Sequence, residues 1–166
     1  MSLTSTLKMI CNSTLTGAGD LATPSVPLNY AAAFSLADGT GANQANNIFT
    51  DTRTLSASGT ENLDLSGSLT NALGVTLVFT KIKAVIVVAA AGNTNSVQVT
   101  RPASNGLPLF MAAGDGIALT PGAAFMAVFP DVNGVSVTAG TGDLLTITNS
   151  AGTTSVTYDV IVIGTT

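Results

Sequence analysis

The residues best suited to chemistry sit in the stretch DGTGANQANNIFTDTRTL, from Asp38 to Leu55. Asp38, Asn43 and Asp51 bring oxygen atoms to a Gly- and Asn-rich setting. Hard cations such as calcium take their ligands from loops of this kind, but no EF-hand spacing is present. An aspartate in a Gly-Thr turn more often accepts hydrogen bonds from its own backbone. The stretch therefore reads as a structural loop. In that reading Asp38, Gly39 and Gly41 make turns, and the amides of Asn43, Gln44, Asn46 and Asn47 satisfy backbone groups. Arg53 then has Asp51 as its partner on the same strand face.

The remaining inventory is short of partners. The chain has no histidine, which removes Ser-His-Asp and Cys-His arrangements and the usual zinc sets. Cys11 is the single cysteine. It forms no intrachain disulfide and is expected to be a small buried thiol. Of the nine carboxylates, Glu61 and Asp64 are closest in sequence. Such a pair could hydrolyse glycosides, but a spacing of three sends them to opposite faces of a strand. They are expected to be solvated edge charges. GAGD (Gly17 to Asp20) and GTGD (Gly140 to Asp143) look superficially like phosphate loops, yet neither fits G-x-x-x-x-G-K-[ST], and both read as turns. Sugar rings stack on aromatic side chains, and the chain has no Trp and only Tyr30 and Tyr158. Tyr158 lies in an apolar strand and is expected in the core, its hydroxyl bonded at the rim. No catalytic residue, cofactor or metal site is expected, and the chain reads as a non-enzyme.

The composition points elsewhere than catalysis. Charged residues make up 8% of the 166, against about 25% in an average soluble domain. Thr, Ser, Asn and Gly take their place, giving a surface that repels its neighbours weakly and suits packing against other proteins. The net charge is −4, and Lys8, Arg53, Lys81, Lys83 and Arg101 form no basic stripe, so nucleic acid is not an expected partner. The opening MSLTSTLKMICNST lacks the apolar core of a signal peptide. The longest apolar run, Ala84 to Ala91, is far short of the roughly 20 residues of a membrane span. Synthesis in a cytoplasm and no membrane partner are the expectations.

The elements that must position these residues read as strands almost throughout. One domain over residues 1–166 is expected. TLKMICNSTLT predicts a first strand near Leu7 to Leu15. Pro24 and Pro27 in GAGDLATPSVPLN predict an extended linker or arm over Thr23 to Leu28. YAAAFSLA reads as strand, because eight residues are too few for a stable helix. ENLDLSG places Leu63 and Leu65 on one face, GSLTNALG predicts a single helical turn, and VTLVFTKIKAVIVVAAAGN is the strongest strand signal, with a bend or bulge at Thr80-Lys81. SVQVTRP, IALTPG, AFMAVFP, VSVTAG, LLTITNS and SVTYDVIVIG follow. Asp131 to Gly134 and Asn149 to Thr154 predict hairpin turns. Nine or ten strands with tight turns predict an all-β, antiparallel β-sandwich of jelly-roll type with an extended N-terminal segment.

From about Ser35 onward the sequence resembles a group of small structural proteins of tailed bacteriophages and prophages. The resemblance is carried by SLADGTGANQANNIFTDTRTLSASGTENLDLSGSLTNALGVTLVFTKIKAV, AAGNTNSVQV and VTAGTGDLLTITNSAGTTSVTYDVIVIG. It brings no catalytic motif and no functional residues. It implies a virion protein, a capsid decoration or cement protein that binds the major capsid protein outside the head. The alternative is a tail-fibre or glycan-binding module.

Two strands predict association. In KIKAVIVVAA, alternation places Lys81, Lys83, Val85 and Val87 on one face and Ile82, Ala84, Ile86 and Val88 on the other. In VTYDVIVIG, Ile161 and Ile163 continue a face that starts polar. A strand apolar on both faces is covered on both. The cover could be the Thr23–Leu28 arm or a neighbouring subunit. The low surface charge favours the neighbour, and a homo-oligomer, preferably a trimer, is expected with contacts at Val85, Val87, Ile161 and Ile163.

Overall fold

The computed structural model describes residues 2–166. These form strands and loops without a helix: β1 (Ser5–Thr16), β2 (Ser25–Asp38), β3 (Gln44–Ala45), β4 (Asn47–Leu55), β5 (Thr60–Asp64), β6 (Ser66–Thr70), β7 (Thr76–Val78), β8 (Lys81–Ala89), β9 (Val97–Thr100), β10 (Gly116–Leu119), β11 (Ala124–Val128), β12 (Val135–Ser136), β13 (Leu144–Asn149) and β14 (Val156–Thr165). The all-β, antiparallel expectation holds. The helical turn expected in GSLTNALG does not form. Its first residues become β6, and Asn71 caps the turn that follows by accepting from the amides of Leu73 and Val75.

Eight strands pair in nested order. β4 pairs with β14, β5 with β13, β8 with β11 and β9 with β10, all antiparallel. The ladders β14·β8 and β13·β9 join these pairs into two rows, β11-β8-β14-β4 and β10-β9-β13-β5. Val85, Val87, Val160 and Val162 from the first row share one core with Leu63, Val99, Leu145 and Ile147 from the second. Leu69, Leu77 and Phe79, from the β6–β7 ribbon and the loop after it, pack into the same core. Strict alternation along β13 and β14 is what aims these residues inward.

Alternation fails at one end of β8. Ile163 pairs with Ala84, but Gly164 pairs with Ile82, so Lys83 is the extra residue of a bulge. Ile82 therefore joins Val85 and Val87 in the core instead of sharing the face of Ala84. A Cβ at Gly164 would collide with the Lys81 carbonyl oxygen and crowd the Phe79 ring, which is why glycine occupies the kink. Two expected hairpin turns have other roles. Residues 131–134 join β11 to β12, and both strands lie along the same edge of β8, so the segment is an excursion from one edge. Residues 149–154 carry the chain from one row to the other.

The outer face of the β8 row has its own cover. Ala84 and Ile163 cluster with Leu7, Leu36 and Ala45, and Leu3, Phe34, Ile48, Ile86, Met126, Val128 and Ile161 pack around them half-buried. The cover comes from the base of the β1–β2 hairpin, in the same chain. Val85 and Val87 are fully buried and Ile163 is 3% exposed, so the expectation that they form an oligomer contact is overturned. They are already packed within one subunit. Residues 23–28 do not serve as the cover either.

Those residues belong instead to a ribbon. β1 and β2 pair from Ser5↔Leu36 to Thr16↔Ser25, a reach of about 40 Å at ~3.4 Å per residue. Every residue from 8 to 31 is exposed, Cys11 included, so the expectation of a buried thiol fails. Pro27 lies inside β2 opposite Thr14, and Pro24 accepts the Gly17 amide at 3.1 Å across the turn. β3 pairs only with Ala37 and Asp38 of β2, so Pro27 sits on an open edge, where a missing donor costs nothing.

Candidate functional site

The four loop residues singled out by composition do not converge. Asp38 accepts the Leu3 amide at 3.0 Å and anchors the N-terminus at the base of the ribbon. Asn43 adopts φ 54°, donates its amide to Pro130 at 2.6 Å and accepts the Ala37 amide at 2.9 Å. The neighbouring amides serve the backbone: Gln44 accepts from Gly41 at 2.7 Å and Asn46 from Thr166 at 2.9 Å. Asn47 accepts from Ile48 and from the Asn71 amide. Asp51 and Arg53 lie apart from these, on β4. Among the described residues no group of three or more His, Cys, Asp or Glu side chains is placed to hold a metal ion.

Arg53 and Glu61 meet, and sequence spacing gave no sign of it. Arg53 sits opposite Tyr158 across the β4·β14 ladder. Its Nη1 donates to Glu61 Oε2 at 2.5 Å, while Asp51 Oδ2 approaches Nε at 3.1 Å outside hydrogen-bond geometry. The Tyr158 hydroxyl donates to the other Glu61 oxygen, and the guanidinium lies 5.7 Å from the Phe49 ring centre, within cation–π range. Glu61 is on β5, in the other row, so the carboxylate clasps one row to the other. It is not the solvated edge charge expected from its position. Burial acts to lower the Arg53 pKa, but the hydrogen bond and charge of Glu61 outweigh it and hold the pKa above its ordinary value. Burial first, and then the bond to Glu61, push the Tyr158 phenol well above its ordinary range. Arg53 Nη1, both Glu61 carboxylate oxygens and the Tyr158 hydroxyl are engaged in the clasp, while Arg53 Nε is buried without a hydrogen-bond partner.

The clasp gives a pH prediction. In the folded chain the phenol stays neutral, while in the unfolded chain it ionises near pH ~10. The stabilisation from Tyr158 is therefore fully present below pH ~10 and is lost as pH rises above it. Denaturant titrations at increasing alkaline pH should show folding free energy falling by up to about 1.4 kcal/mol per pH unit. In Tyr158→Phe this component of the slope should vanish. An unchanged slope would mean that the phenol is not held neutral.

Two further polar groups are buried by design of the loops. Lys83 is fully buried at the bulge and donates its ammonium to the Asp131 carbonyl, and burial lowers its pKa. The Asp131 carboxylate accepts the amides of Asn133 and Gly134, which lowers its own pKa and holds the excursion in shape. Asp143 accepts from Ser66 Oγ at 2.7 Å and from the Gly140 amide, so GTGD is a turn closed by its own aspartate. A groove of about 300 Å³ is lined by Leu3, Asn46, Ile48, Ala72 and Leu73 among others, with no charged side chain. None of these places offers a nucleophile with a base.

The ribbon is the exception to this self-contained chemistry. Residues opposed in an antiparallel ladder share a face. One face of the arm carries Met9, Cys11, Ser13 and Leu15 with Ala32, Tyr30, Leu28 and Val26 opposite them. The other carries Lys8, Asn12, Thr14 and Thr16, with Asn29 and Ser25 among their partners and Ile10 as its one large apolar residue. The arm is thus amphipathic across its thickness, and its apolar face lies in solvent: Leu15 is 75% exposed, Val26 65% and Tyr30 51%. Sequence reading missed this surface because it took the two proline residues for a linker. The alternation of MICNSTL against PLNYAAAF was the available signal.

Comparison with protein-family models, with curated proteins and with solved structures finds no match to this chain.

Proposed function

We propose that this chain is a non-enzymatic structural protein of a tailed-phage virion, a decoration or cement protein that binds the major capsid protein on the outside of the head and stabilises it. The observation that carries the reading is the arm. The β body projects an apolar ribbon face into water, and such faces mark association surfaces. The sequence resemblance to phage head proteins and the 8% charge content support the same reading. So does the strand order. Nested pairs joined into two rows support a jelly-roll reading, an architecture used by viral capsid and lectin domains alike.

That shared architecture keeps a second reading, a tail-fibre or glycan-binding module. The arm's long apolar face favours assembly over sugar recognition, since it presents a single aromatic side chain, Tyr30. Cryo-microscopy of the virion tests the proposal. Ordered density for this chain on the outer capsid surface is expected. Density confined to the tail, or protein found only in infected cytosol, would overturn it. A glycan array separates the second reading directly.

A further inference from the structure

We propose that the apolar face of the β1–β2 arm is a self-association surface, covered in the assembled protein by the same face of a second copy's arm. This deepens the assembly reading above and rests on it for the arm's role, but it names a partner that the reading does not.

Continuity is the first argument. The face that ends in solvent begins in the core. Leu36 and Leu7 are buried at its base and Phe34 is half-buried, all three against the β8 row, and the same face runs on through Met9, Leu28, Tyr30, Leu15 and Val26 with nothing over it. Charge is the second. Lys8 points to the other face and Asp20 lies in the turn, so the apolar face holds no charged residue. A surface without charge can meet its own copy without repulsion, as an isologous contact requires. The polar face then stays in water on the outside of both ribbons, as it does when two sheets stack ~10 Å apart. Area is the third. Two faces of this length meeting would bury on the order of 1,000 Å² in total, the lower bound of a specific interface. A partner with a charged or polar surface would leave its own groups unpaired against this face.

The test compares three proteins by sedimentation velocity over a range of micromolar concentrations. The unmodified chain is expected to associate as concentration rises. Leu28→Asp/Tyr30→Asp, on the apolar face, should remain monomeric. Asn12→Asp/Asn29→Asp adds the same charge to a directly opposed pair on the polar face, and should associate like the unmodified chain. All substituted residues are exposed, and unchanged circular dichroism and melting would show that the body is folded. Because Cys11 is the single cysteine and lies on the apolar face, a bis-maleimide spanning ~10 Å should give a covalent dimer with the unmodified chain and none with the apolar-face variant. A monomeric unmodified chain, or equal behaviour of the two variants, overturns the inference. If that monomer binds purified heads, or floats with phospholipid vesicles, the arm's occupant is the capsid or a lipid surface instead. A chain that associates through the arm but ignores heads would leave this inference standing and remove the decoration reading.

Discussion

Replacing Val87 with aspartate is expected to prevent folding altogether. Val87 is fully buried, paired with Val160 on one side and Phe125 on the other. The change removes about 1.5–3 kcal/mol of apolar burial. It also places a carboxyl group with no hydrogen-bond partner in the shared core, at a cost of several kcal/mol whether it stays charged or takes up a proton. Together these reach or exceed roughly 5 kcal/mol, which is the whole stability of many domains. Val87→Ala should fold and lose about 2–3 kcal/mol through the lost apolar burial and the cavity left behind. Urea titration followed by circular dichroism reads both. A Val87→Asp chain that melts like the parent would show that the β8 row does not bury this face. The contrast with the arm matters here. The same substitution type at Tyr30 should leave the body folded, because only the arm's base is packed.

Much of the body was legible because it obeys period two. Leu145 and Ile147 on β13 and Val160 and Val162 on β14 alternate without a break, and each faces the shared core. The pattern also told that β8 and β14 are apolar on both faces and covered on both. It could not tell what covers them, since alternation reports burial and not the identity of the neighbour. The cover came from residues roughly 50 to 150 positions away, and Leu7, Phe34 and Leu36 look like ordinary strand residues. Proline misled for a related reason. Pro27 removes one donor, and that is equally compatible with a linker and with a strand bonded on one side only. Which of the two holds depends on whether β2 has a second neighbour, a tertiary fact. At Lys83 a single bulged residue shifts the faces, and no local propensity marks it.

Glu61 shows the same limit from the side of chemistry, and its removal is the other change expected to be costly. Its spacing from Asp64 correctly separated the two carboxylates. Its true partners are eight and 97 residues away, out of reach of any motif. Glu61→Ala would leave the buried Tyr158 hydroxyl without a partner and Arg53 with Asp51 alone. Breaking a fully buried ion pair costs about 3–5 kcal/mol. Here the side chains are 29% and 21% exposed, so water recovers part of the loss. The unpaired hydroxyl adds about 1–3 kcal/mol. A net loss of roughly 3 kcal/mol is expected, which for a chain of this size lowers the melting temperature by about 6–12 °C. Adding Arg53→Met to Glu61→Ala should restore part of the loss, because the cation is then no longer left half-buried and the aliphatic contact with Phe49 is kept. A double-mutant cycle over Glu61→Ala and Arg53→Met measures this directly, and the coupling should exceed 1 kcal/mol, above the ~0.2–1 kcal/mol of exposed ion pairs. A smaller coupling would mean that the two rows are held by their shared core alone, with the clasp a solvated surface contact.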